Sequence, residues 1–199
     1  MKYLEKIQGL LPLGYLYLIV LGLLKESILF YQLGINILKY SSITDILISP
    51  IADMASSPIL IIVIISVVLL FFLFQVILVK NSDKNWSKKL LGSYKINHEG
   101  DKKTLQKSMI PVFAILVGIE LLALFVGLGL GEGRIIKKRI DTQDLKYNYK
   151  IVSESGGEPT DIYMIDINSS YYFYVEKGDR NIKIAPVGKI NTLEVIKKK

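Results

Sequence analysis

The chain has 199 residues, of which 51% are hydrophobic, with no cysteine, a single histidine and a formal charge of +7. The missing thiols exclude disulfides, thiolate nucleophiles and cysteine-ligated metal centres, and one histidine cannot form a histidine cluster. The apolar residues gather in long blocks, so they are matched to lipid more than to a soluble core, and the lysines collect beside those blocks. There, anionic lipid head groups are the nearest partner, and no nucleic-acid partner is expected.

The first block covers 7–24. Lys2 and Lys6 ahead of it give the start of a signal peptide, but the block is long for one and runs into Lys25-Glu26 without a small-x-small cleavage site, so it is read as a retained helix. The second, 59–79, is 21 residues in which only Ser66 and Gln75 are polar. At 1.5 Å per residue it crosses a hydrocarbon core of roughly 30 Å. The third covers 109–131, interrupted only by Glu120, with Pro111 placed in its first turn.

Between the first two spans, the apolar stretches of 27–58 are too short and too broken to cross, which predicts a segment on the membrane surface or packed back on the helices. The 80–108 loop holds eight lysines against Asp83, Glu99 and Asp101. Trp86, Leu90, Leu91 and Tyr94 recur within it at helical spacing, the pattern of an interfacial helix anchored by Trp86, Lys88 and Lys89. That basic loop sets the expected orientation: N-terminus and 80–108 cytoplasmic, C-terminal region outside. The run Arg134, Lys137, Lys138 and Arg139 stands against it on the outer side.

After the third span the period changes to two. Apolar and tyrosine positions near 147–151, 162–167, 171–175, 182–184 and 193–195 are separated by Gly, Asn, Ser and Pro turns, predicting five short antiparallel strands. The expected fold is thus an α-helical integral membrane domain of three transmembrane helices over 1–133, followed by a small β-rich domain over 134–199. Tyr171, Tyr172 and Tyr174 are the candidate partner surface of that domain, with cross-strand packing as the competing role.

Glu120 invites a functional reading, because a carboxylate at the midpoint of a span costs several kcal/mol unless it faces protein or water. Ala123, Gly127 and Gly131 fall within about 60° of it on a helix, so it shares a small-residue packing face. Copies of Glu120 around an axis would form a cation or proton path. A neutral acid hydrogen-bonded to Ser66 is the structural alternative. Span two, without glycine, is expected to face lipid, and span one to pack on span three through Gly14 and Gly22. The alternating glycines from Gly127 to Gly133 predict close helix packing and a flexible exit from the bilayer. They follow a helix and lack the Gly-Lys-Ser/Thr of a phosphate loop.

The segment 31–51, with Tyr31-x-x-Gly34-Ile35-Asn36-Ile37 and then Tyr40-Ser41-Ser42-Ile43-Thr44-Asp45-Ile46-Leu47, resembles one found after the first span of uncharacterised small bacterial inner-membrane proteins. The strand-rich tail around 171–175 and 193–195 resembles theirs as well. The resemblance implies a multi-pass protein of the bacterial inner membrane and no activity. Together these readings predict no catalytic, cofactor or metal site. They describe a non-enzymatic, self-associating membrane protein whose C-terminal domain binds or senses a protein partner, with an accessory or immunity role in bacterial conflict or defence as its context. The alternative is a homo-oligomeric channel subunit with Glu120 lining the path.

Overall fold

The structure is a computed structural model that describes residues 2–92, 102–153 and 158–196. It is mostly helical, with three helices long and apolar enough to cross a membrane and a C-terminal antiparallel sheet. The helices are α1 (Lys2–Gln32), α2 (Ile43–Ser56), α3 (Pro58–Lys80), α4 (Asn85–Leu91) and α5 (Lys102–Thr142), and the strands are β1 (Tyr149–Ser153), β2 (Thr160–Ile167), β3 (Tyr171–Glu176), β4 (Lys183–Pro186) and β5 (Ile190–Val195). Two compact units divide the chain, one of Met1–Ala52 with Phe125–Lys199, the other of Asp53–Leu124. The sheet therefore groups with α1, whereas the sequence placed all of 1–133 in one domain.

In the second unit, Ser57 caps α3 by accepting from Leu60 N, and Pro58 takes the first helical position, where a missing N–H costs nothing. Most of α3 is exposed apolar surface, including Ile59, Ile62, Ile65, Leu70 and Phe72. Water would penalise that surface and lipid would not. Its C-terminal half instead packs Leu78 and Val79 with Leu91 of α4 and with Leu105, Met109 and Phe113 of α5. Gln75 crosses the same contact, its Nε2 donating to Gln106 O at 3.1 Å.

Helix α4 corrects the expected pattern of its faces. Leu91 and Ser87 are buried, the Ser87 hydroxyl donating to Leu78 O at 2.9 Å, while Trp86 and Leu90, four residues apart, turn outward. Lys88 and Lys89 are exposed beside them. Tyr94 lies outside the described residues.

Helix α5 is longer than expected. Its 41 residues extend about 61 Å, twice the hydrocarbon thickness. Pro111 accordingly sits well inside the helix and not in its first turn. The glycines do not form a flexible exit either, since α5 continues through all four to Thr142.

In the first unit, the ends of α1 and α5 meet the sheet. Strand order is β4-β3-β2-β1-β5, every pair antiparallel, with a 3-10 turn at Val187–Lys189 leading from β4 into β5. The sheet has two apolar faces. One packs Phe173 and Val175, with Ile165 and Ile184, against Leu29, Phe30 and Ile37 and against Ile136 and Ile140. The other gathers Ile151, Ile162 and Tyr174, joined by Tyr172, Met164 and Leu193. Phe30 and Phe173 are fully buried, with ring centroids 4.9 Å apart.

Helix α2 packs back on α1. Its 14 residues reach only about 21 Å, too short to cross. The fit is tight at Gly22, where a Cβ would fall 2.0 Å from Ile46 O and 3.1 Å from Pro50 Cδ. Gly22 thus serves α2 and not span three, and Gly14 has open space around it.

Candidate functional site

Glu120 is exposed on α5, and no side-chain partner for it occurs among the described residues. The proposed bond to Ser66 is not made. Ser66 Oγ donates instead to Ile62 O at 2.7 Å, one turn back on its own helix, which satisfies the hydroxyl without a neighbour. Ala123 and Gly127 are exposed as well, and nothing lies within 4 Å of a Cβ built at Gly127 or Gly131. Among the described residues, this face is left open at Gly127 and Gly131.

The glycines that do pack are Gly129 and Gly133, about 180° and 220° around the helix from Glu120. A Cβ on Gly129 would come within 2.5 Å of Lys25 O, and one on Gly133 within 2.9 Å of Leu29 O. Only hydrogen in place of a side chain lets α1 and α5 approach this closely. Gln32 seals the contact by donating from Nε2 to Gly129 O at 3.1 Å and to Ile28 O at 3.3 Å.

A charged cluster sits at the same crossing. Lys25 is 5% exposed, and its ammonium lies 3.5 Å from Glu26 Oε1 and 3.4 Å from Glu132 Oε2. The Ser49 hydroxyl donates to the same Glu26 oxygen, tying in α2. A buried ammonium is tolerated only when paired, and here two carboxylates from two helices supply the pairing. Sequence reasoning missed this group because Lys25-Glu26 read as the polar end of span one. The available signal was opposite charge at matching ends of two spans, Lys25 on one and Glu132 on the other.

A polar latch joins α2 to the sheet. Ser42 and Asp45 form a capping box: Asp45 Oδ2 accepts from Ser42 N at 2.9 Å, and Asp45 N donates to Ser42 Oγ at 3.1 Å. The same carboxylate accepts from Ser169 N at 3.1 Å and Ser169 Oγ at 3.0 Å, in the turn between β2 and β3. Asn168 adds a bond from Nδ2 to Tyr40 O at 3.0 Å. Partial desolvation raises the Asp45 pKa, but the bonds from Ser42 and Ser169 outweigh it and hold the carboxyl below its usual range. The segment 40–45 is therefore a seat for the sheet.

Of the three candidate tyrosines, Tyr171 and Tyr172 are half-buried and Tyr174 is buried. Tyr171 packs edge-on against Tyr40 at 5.4 Å, and Tyr172 and Tyr174 pack with Ile151 and Ile162 on the other face of the sheet. Burial, helped by the nearby Glu176 and opposed by Lys183, pushes the Tyr174 phenol up. Strand β3 is central enough to have apolar neighbours on both sides: Tyr171, Phe173 and Val175 join the clusters with α1 and α5, and Tyr172 and Tyr174 join the other.

Comparison with protein-family models, with curated proteins and with solved structures finds no match.

Proposed function

We propose that the protein is a non-enzymatic, multi-pass bacterial inner-membrane protein that self-associates through the Glu120 face of α5 and uses its C-terminal sheet to bind or sense a partner. The observation that carries self-association is Glu120 itself: an exposed carboxylate near the middle of an apolar stretch, beside Ala123 and the open Gly127. Against lipid that carboxylate would cost several kcal/mol, and a second copy offers both a close backbone and hydrogen-bond partners. For the partner reading, support comes from β4 and β5, which end the sheet and leave their outer backbone edges unpaired among the described strands. The outward pair of Trp86 and Leu90, with Lys88 and Lys89, supports an interfacial anchor on anionic lipid.

The test uses the absence of cysteine. Ala123→Cys alone should crosslink copies in native membranes, and adding Gly127→Leu should cut the crosslinked fraction several-fold, while adding Leu128→Ala should not. Equal crosslinking in all three would place the interface elsewhere. Glu120→Leu should weaken assembly by about 1 kcal/mol and Glu120→Gln should leave it intact, since the amide still donates. The same exposed carboxylate supports a second reading, a cation path along the oligomer axis. In planar bilayers that reading expects a cation current that Glu120→Gln removes, and a silent wild type rejects it.

Orientation is tested with Asn85→Cys and Ser170→Cys, both at exposed positions. An impermeant thiol reagent on intact cells should label the second and spare the first, and the reverse pattern would invert the topology.

A further inference from the structure

At the α1 and α5 ends, beside the hairpin joining β3 to β4, lies a groove of about 540 Å³ lined by Tyr31, Gln32, Lys137, Asp141, Arg180 and Asn181 among others. Lys137 and Arg180 come from elements more than forty residues apart, α5 and the loop after β3, yet both line it. Neither forms an ion pair among the described residues, and both are exposed. Asp141 is the acid in that lining, and with the two cations it leaves the lining one net positive charge. The loop is held in shape without using the Arg180 side chain: Asp179 Oδ1 accepts from Arg180 N at 2.7 Å and Asn181 N at 3.0 Å, so the backbone is pinned and the guanidinium takes no part in it.

The depth of the groove identifies its ligand. The apolar stretch of α5 ends near Leu130, and Lys137 is seven residues on, about 10 Å along the axis and so in the head-group layer. Tyr31, 83% exposed at the end of α1, has the position of an aromatic belt residue. Guanidinium and ammonium groups at that depth meet phosphate more often than any other anion.

We propose that this groove binds the phosphate of an anionic phospholipid head group, through Arg180 and Lys137. Of the basic run that opposes the expected orientation, Arg134 and Lys138 are not among the groove's lining, and they serve as built-in controls.

The detergent-solubilised full chain would be titrated with short-chain phosphatidylglycerol, with phosphatidylcholine of the same chain length, and with glycerol phosphate as the free ester. Phosphatidylglycerol should bind more tightly than phosphatidylcholine, and Lys137→Gln with Arg180→Gln should weaken it by about tenfold or more, given roughly fivefold per cation. Arg134→Gln with Lys138→Gln should change it less than about threefold, and Asp141→Asn should tighten it. Glycerol phosphate binding as tightly as the lipid would support the phosphate site and assign it to a soluble ester. Equal losses in the two double variants, or binding that ignores Asp141, would reduce the effect to general surface charge and overturn the proposal. Unchanged thermal midpoints of the variants without lipid show that the fold is intact, and all four cations are exposed. Because this experiment reads a monomer property, loss of self-association at Glu120 leaves its outcome unaffected.

Discussion

Two faces of α5 carry small residues four apart, and the chain uses them differently. Gly129 and Gly133 are filled by the backbone of α1, whereas Ala123, Gly127 and Gly131 meet open space. Spacing does not separate the two faces. Their polar neighbours do. The used face has Gln32 to donate to the α5 carbonyl of Gly129 and Lys25 to reach Glu132, so closing the helices satisfies groups that lipid would leave bare. The open face has Glu120, with no side-chain partner among the described residues. A small-residue stripe thus becomes an intramolecular contact where hydrogen-bonding groups surround it on the partner helix, and otherwise stays open.

The sharpest way to break this contrast is at Gly129. Gly129→Leu must push its side chain into Lys25 backbone that cannot yield, so α1 and α5 should separate at a cost on the order of 3 kcal/mol or more, seen as a large drop in thermal midpoint in detergent. Gly127→Leu should stay within about 0.5 kcal/mol of wild type in the same assay. Similar losses at both positions would show that the two faces are not distinct.

Lys25 gives the next effect. Lys25→Met leaves Glu26 buried without its cation and should cost about 3 kcal/mol, while Glu132→Gln should cost clearly less because the Glu132 side chain is 45% exposed and screened by solvent. Urea or thermal unfolding of the purified variants ranks them. The reverse order would mean that Glu132, not Glu26, is the acid that stabilises the ammonium.

Asp45 gives a smaller loss than Lys25. Asp45→Asn should cost about 1 kcal/mol through the capping box and the Ser169 turn. Its folded pKa lies below the ordinary carboxylate value, so the contribution is complete above pH 3.8 and is lost as pH falls through the lowered folded pKa. The stability gap between wild type and Asp45→Asn should therefore be constant from neutral pH down to about pH 4 and close below it. A gap that closes at higher pH would point to a different titrating group.

What the sequence discloses follows the range of the interactions. Strands β1 to β5 and helix α4 are announced by local period and turn chemistry, and α3 by sheer length of apolar run. The boundaries of α1 and α5 are not, because Lys25, Glu26 and Glu132 mark polar ends to a local reading and become helix interior only once they neutralise one another across the fold. Likewise nothing local distinguishes Gly129 from Gly127. At the sheet, alternation assigns Tyr171 and Tyr172 to opposite faces, and only the tertiary packing decides that each joins an apolar cluster.

The seating of the sheet has a consequence for biosynthesis. Phe173 and Val175 find their apolar cover in Phe30, Ile37 and Ile140, and Asn168 reaches Tyr40 across 128 residues of chain. Such non-local closure is slow and can only follow emergence of the strands from the ribosome, long after α1 has been made. Until then, the end of α1 and the Ser42–Asp45 turn wait uncovered, and the strands in turn cannot complete their core as an excised fragment. Handled as a freestanding module, the sheet would be left with Phe173 and Val175 bare, so maturation of the two ends is a single event.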